Sequence, residues 1–190
     1  MYHDLAPLCS WKGVLCDPQD DSVIAIELEN VALKATIPSE LGALSTLKAL
    51  VLRKNQIYGT IPSQIAVLPK LEILDLSDNR ITGTIPEFKS PKLIDLSLGF
   101  NRLTGTLPSD FGHGHELLVE MDIAWNKLTG IIPDSIGEMK GLNKLILSGN
   151  DLYGKISSHK PVKILTLPLF SDNRPSPFQH KIASDYLSPD

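Results

Sequence analysis

The chain has 190 residues, 42% of them apolar and 21% charged, with 18 basic against 22 acidic side chains for a formal net charge of −4. That balance suits a soluble single domain and argues against a general nucleic-acid binder. No uncharged apolar run approaches the ~18 residues that a bilayer span needs, and the longest near the end, Ile164 to Phe170, is broken by Pro168.

Residues 1–22 form an opening segment that carries both cysteines, Cys9 and Cys16, with Trp11 between them. From 23 to 156 one phrase recurs. Asn55, Asn79, Asn101, Asn126 and Asn150 follow one another at 24, 22, 25 and 24 residues, each in the same place in Leu-x-Leu-x-x-Asn-x-Leu-x-Gly-x-Ile-Pro. Two copies fill every slot: Leu50, Leu52, Asn55, Ile57, Gly59, Ile61 and Pro62, then Leu74, Leu76, Asn79, Ile81, Gly83, Ile85 and Pro86. Six repeats begin near Val23, Leu47, Leu71, Leu93, Leu118 and Leu142, and the first is worn, with Val31 in place of Asn and Ala35 in place of Gly.

Alternation such as Leu74-x-Leu76 puts both leucines on one face of a strand of about three to five residues, and that face points inward. The Asn that follows can bond backbone through its carbonyl and its amide, so a stacked column of them predicts a ladder. Ile57, Ile61, Ile65 and Leu68, or Leu128, Ile132, Ile136 and Met139, line the rest of a coil, and the proline keeps the return extended. One coil buries about six such side chains at roughly 1.5–3 kcal/mol each, against roughly 1–2 kcal/mol to fix each of about 24 backbones. A lone coil therefore does not fold, and the coils must stack.

After Ile156 the phrase decays. Leu165 and Phe170 fit strand slots and Asn173 falls 23 residues beyond Asn150, but Pro168 and Pro175 interrupt. Residues 157–175 read as a degenerate final coil and 176–190 as a flexible tail.

Over about Cys9 to Ile156 the chain resembles the plant-type leucine-rich repeat, whose hallmark is the Gly-x-Ile-Pro insertion. Cys9-Ser10-Trp11-Lys12-Gly13-Val14-Leu15-Cys16 is similar to the amino-terminal cap of that family. The resemblance implies a leucine-rich-repeat solenoid, a mainly β right-handed superhelix of the α/β type. Its concave parallel sheet would have six to seven short strands and its convex side would be irregular or 3-10. It also implies a Cys9–Cys16 disulfide holding Trp11 as a lid over the first coil, a closure worth roughly 2–3 kcal/mol; two reduced thiols in a cytosol are the alternative.

The same resemblance implies a recognition role at the cell surface or outside the cell. The candidates are the ectodomain of a receptor-like kinase or receptor-like protein, a co-receptor, or a secreted polygalacturonase-inhibitor-like defence protein acting on a pathogen enzyme. A secretory leader needs about 15–30 residues, whereas Met1 lies eight residues before Cys9. The sequence therefore reads as a fragment, with any membrane attachment supplied by other parts of a parent chain.

Function falls to the slots the scaffold does not consume. On the concave face Phe100 and Trp125 share one column in adjacent repeats, with Asp78 one coil earlier, and Asp75, Asp95, Glu120 and Asp122 form an acidic field beside them. Aromatics beside like charges suit a basic or amphipathic peptide or a protein partner such as a larger co-receptor. Scaffold decoration is the competing reading.

Signs of catalysis are thin. His113-Gly114-His115 lacks a third ligand, makes a weak metal site and reads as a solvated loop. An open sheet offers little desolvation to separate carboxylate pKa values, and no phosphate loop, nucleophile elbow or kinase signature is present. The chain reads as non-enzymatic, without cofactor or metal. Thr60, Thr84 and Thr106 form one threonine column and Thr82, Thr104 and Thr129 another, as an ice-binding face would, though Tyr58, Ile131, Tyr153 and Lys155 interrupt them.

Overall fold

In the computed structural model, which describes residues 8–19 and 21–156 and the backbone of Lys163–Leu165, each alternating Leu-x-Leu segment is a strand. In chain order the strands are β1 (Val14–Cys16), β2 (Val23–Glu27), β3 (Ala49–Val51), β4 (Tyr58–Gly59), β5 (Ile73–Asp75), β6 (Arg80–Ile81) and β7 (Asp95–Ser97). Then follow β8 (Thr104–Gly105), β9 (Glu120–Asp122), β10 (Lys127–Ile131), β11 (Lys144–Ile146), β12 (Asp151–Tyr153) and β13 (Lys163–Leu165). Among the described residues the helical segments are 3-10 turns at Leu8–Ser10, Ser39–Ala43 and Asp134–Glu138. The Gly-x-Ile-Pro return accounts for this, because proline at the start of each convex segment leaves too few residues for a longer helix.

Strands β2, β3, β5, β7, β9, β11 and β13 lie side by side and parallel, one per coil, with β1 antiparallel on the open edge of β2. Register does not slip among the parallel strands: Ile26, Leu50, Leu74, Leu96, Met121 and Leu145 are partners in successive strands. The last five are fully buried, and Leu52, Leu76, Leu98, Ile123 and Leu147 extend the same core. Phe88 and Phe111, on the return segments of adjacent coils, complete it.

The asparagine ladder holds the stack. Asn55, Asn79, Asn101, Asn126 and Asn150 each donate through Nδ2 to the carbonyl of Leu28, Leu52, Leu76, Leu98 or Ile123 one coil back, at 2.6–3.1 Å. Each Oδ1 accepts from the backbone N–H of Leu33, Ile57, Ile81, Leu103 or Leu128, at 2.9–3.0 Å. Asn55 also accepts from Val31 N–H at 3.1 Å, so the worn first coil, which has no ladder Asn, is served by the second.

Two small parallel sheets flank the coils, β4 with β6 and β8 with β10 and β12. They explain the Gly-Thr wording. Gly59, Gly83, Gly105 and Gly130 have φ between 80° and 89°, and a Cβ there would fall 2.8–3.1 Å from Cγ2 of Thr36, Thr60, Thr84 or Thr106 in the preceding coil. The hydroxyls of Thr82, Thr104 and Thr129 donate to the carbonyls of Gly59, Gly83 and Gly105 at 3.1–3.5 Å. Both threonine columns thus serve coil stacking.

At the first coil Cys9 and Cys16 form a disulfide with Cα atoms 5.6 Å apart. Trp11 is not the expected lid: it is 50% exposed. It lies in the turn ahead of β1, and strand alternation gives the inward positions to Val14 and Cys16, which pack on the core. Leu15 points the other way, onto Ala25, Ala49, Val51 and Ile73. The degenerate coil expected over 157–175 and the tail over 176–190 lie outside the described residues, apart from the backbone of β13, which pairs in register with β11.

Replacing Asn101 with Ala strands backbone groups of two coils and is expected to cost about 3 kcal/mol, read from the denaturant midpoint. Replacing Cys9 and Cys16 together with Ser should cost about 2–3 kcal/mol and loosen β1 before the rest, which hydrogen exchange of its amides reads directly.

Candidate functional site

Two rows of side chains turn away from the core. One runs Ala25, Ala49, Ile73, Asp95, Glu120, Lys144 and the other Glu27, Val51, Asp75, Ser97, Asp122, Ile146. Apart from the exposed Glu27, the surface is therefore zoned: apolar over the first coils, acidic over the middle ones, with Lys144 closing the field.

The acidic zone is less open than an alternating pattern implies. Asp75, Asp95 and Glu120 are 5%, 2% and 6% exposed, because the carboxylates fold down onto their own sheet. Asp75 Oδ1 accepts from the hydroxyl and N–H of Ser77 at 2.6 and 3.0 Å, and its other oxygen lies 3.9 Å from Arg53 Nε. Asp95 accepts from the Ser97 hydroxyl at 2.8 Å, Asp122 from Ala124 N–H at 2.9 Å, and Glu120 pairs with Lys144.

Burial pushes the Asp75 carboxyl above its ordinary range despite the Ser77 bonds and Arg53. Burial also raises Asp122, opposed by Ala124 N–H and Lys144 and reinforced by the charges of Glu120 and Asp75. Gly99 leaves room for Asp122, whose Oδ1 would lie 2.9 Å from a Cβ there.

Beyond the strands, the residue before each ladder position turns left-handed: Asn30, Lys54, Asp78, Phe100, Trp125 and Gly149 have φ of 52°, 56°, 55°, 55°, 53° and 69°. The sequence had a signal for this, since Asn, Asp and Gly are the residues that tolerate that region. Two bulky aromatics in succession are the exception. Phe100 and Trp125 are 50% and 47% exposed and stack with centroids 5.9 Å apart and planes 16° from parallel. Trp125 in turn lies over Gly149, where a Cβ would meet its ring at 2.7 Å. Asp78 is exposed at the head of this ledge.

His113 and His115 do not converge. His113 is exposed and lies 3.5 Å from Glu138, whereas His115 is buried, its ring 5.8 Å from that of Phe111. The loop is thus half core rather than solvated: the single residue between the histidines, Gly114 at φ 79°, lets them part in opposite directions. Burial lowers the His115 pKa. Among the described residues no group of three or more His, Cys, Asp or Glu is placed to hold a metal ion.

A carboxyl raised in the folded state binds more protons than in the unfolded chain, so its ionisation lowers stability as pH rises above the ordinary value of 3.8. Asp122→Asn, which keeps the acceptor for Ala124, is expected to raise the thermal midpoint at neutral pH. The gain should vanish below about pH 3.8, where both forms are uncharged; midpoints across pH check it.

Two family models described as leucine rich repeat match the chain, one over residues 70–89 and one over 90–152. The chain is 44% identical over 50 residues to the LRR receptor-like serine/threonine-protein kinase FEI 2 of Arabidopsis thaliana, covering 26% of this chain and 8% of that protein. It thus matches under a tenth of the length of that curated relative. Among solved structures, the LRR ectodomain of the receptor kinase SOBIR1 from Arabidopsis thaliana is 32% identical with a TM-score of 0.70, covering 78% of this chain and 85% of that one. The ectodomain of GASSHO1/SCHENGEN3 from the same plant, solved with CASPARIAN STRIP INTEGRITY FACTOR 2, is 35% identical with a TM-score of 0.75, over 78% of this chain and 18% of that one. With its ladder, its Gly-Thr stacking and identity spread over most of a complete solved ectodomain, the chain belongs to the leucine-rich-repeat family of plant receptor ectodomains.

Proposed function

We propose that the chain is a non-catalytic recognition module, the peptide- or protein-binding ectodomain of a receptor-like protein or kinase, acting outside the cell. The stacked, half-exposed Phe100–Trp125 ledge carries this reading. Large apolar rings held rigid at the surface lose little entropy on binding and supply the contact area that dominates recognition energies. Asp78, Asp75, Asp95, Glu120 and Asp122 are its neighbours, the last four fixing the floor of the concave face rather than reaching into solvent.

The ectodomain of GASSHO1/SCHENGEN3 was solved with a bound factor, which supports a peptide-sized ligand here. The stack is short, so its concave face is small, and a larger ectodomain as second partner fits that size. The Cys9–Cys16 disulfide supports an oxidising, extracellular setting.

Random peptides displayed on phage and selected against the whole chain provide the test. Trp125→Ala should weaken the selected peptides by at least about 2 kcal/mol, with only a small change in thermal midpoint. Equal affinity for the variant would remove the ledge from the binding site.

A further inference from the structure

The position just after each ladder Asn reads Gln56, Arg80, Arg102, Lys127 and Asp151 along the chain, so three consecutive coils place a basic residue there. All three are exposed. Arg80 and Lys127 lie in the flanking strands β6 and β10, in register with Tyr58 and Thr104 of the preceding coils, and Arg102 lies in the coil between them, so the three positive charges form a staggered stripe two residues past the column of the aromatic ledge. The ion pairs among the described residues join Arg53, Lys54, Lys89, His113 and Lys144 to carboxylates, and none involves Arg80, Arg102 or Lys127.

The contrast with the concave floor decides the sign of the surface. There the carboxylates are folded down, hydrogen-bonded and in two cases beside a cation. On the stripe no ion pair among the described residues joins Arg80, Arg102 or Lys127 to a carboxylate. The flank just past the rings is therefore positive, with the exposed Asp78 at the head of the ledge, although the chain as a whole carries −4. Gln56 and Asp151 stand at the two ends of this column, and neither enters an ion pair among the described residues.

The rings narrow the class of partner. Trp125 is flanked by Phe100 on one side and Gly149 on the other. A sugar stacks on an open aromatic face, and here the neighbouring coils already crowd the tryptophan, so an inserted apolar side chain fits this ledge better than a saccharide. Building on the recognition reading above, we propose that Arg80, Arg102 and Lys127 together with the Phe100–Trp125 ledge bind an acidic segment of a protein partner, one in which an apolar side chain adjoins a run of carboxylates. Such binding is steered by charge and weakens with salt.

The peptides selected on the whole chain should be rich in Asp and Glu next to an aromatic or aliphatic residue. Their affinity should fall about tenfold or more in the Arg80→Glu, Arg102→Glu, Lys127→Glu triple variant and in 0.5 M salt, about a 4 Å Debye length. The substituted side chains are exposed and unpaired, and far-ultraviolet circular dichroism confirms that the variant folds; Arg102→Gln alone gives a smaller loss in the same direction. Selection of Lys- and Arg-rich peptides, or equal affinity of acidic peptides for the triple variant, overturns the proposal. So does oligogalacturonate binding that displaces the peptides, which would make the stripe a polysaccharide site. Loss of binding in Trp125→Ala with full binding by the triple variant would leave the recognition reading standing and remove this one.

Discussion

The hydrogen bonds of five half-buried asparagines are the constraint on which this molecule depends. A solenoid coil must turn its backbone inside the stack, where unpaired N–H and C=O groups are costly. Each ladder Asn answers both kinds of group in the preceding coil and carbonyls in its own. The bond is therefore directional. A coil is completed by its successor, which is how the first coil tolerates Val31 where an Asn belongs: Asn55 accepts from Val31 and Leu33 together.

The ladder also dictates the shape of the surface. Bringing the Asn side chain under its own strand end requires the residue before it to turn left-handed, a conformation costing non-glycine residues roughly 1–2 kcal/mol. At most coils the cost falls on residues that bear it well or on a flexible lysine, but Phe100 and Trp125 take it in succession. Their mutual stacking, of the kind worth about 0.5–1.5 kcal/mol beyond burial, offsets part of that strain. A bulky residue held at such a φ by its surroundings is a recurrent mark of sites kept for a purpose other than stability.

Much of this was legible in the amino-acid sequence because repetition multiplies a weak signal. A single Leu-x-Leu-x-x-Asn proves little; five at nearly constant spacing define strand, register and ladder together, and the buried Leu50, Leu74 and Leu96 stand where the pattern puts them. What escaped lies where the pattern has no say. Trp11 sits in a turn before β1, so no alternation determines which way it faces. His115 is buried because Phe111 and a return segment enclose it, and the sequence alone shows only two histidines in a polar loop. The carboxylates of the concave face lie in the rows that turn away from the core, but they fold back onto Ser77, Ser97 and Ala124 two residues on, a local arrangement that strand periodicity does not encode.

Charge in a solenoid is sorted by column rather than averaged over the surface. A mild net negative charge would lead one to expect attraction to cations everywhere, yet the carboxylates of the concave floor face donors of their own sheet, and burial raises the pKa of Asp75 and Asp122. The basic residues one column over have no such partners among the described ion pairs. Since a contact across an interface is strengthened by charges not already satisfied within the protein, the columns best placed to read a partner are those the scaffold leaves unanswered, and here these carry Phe100 and Trp125 and, one column over, Arg80, Arg102 and Lys127.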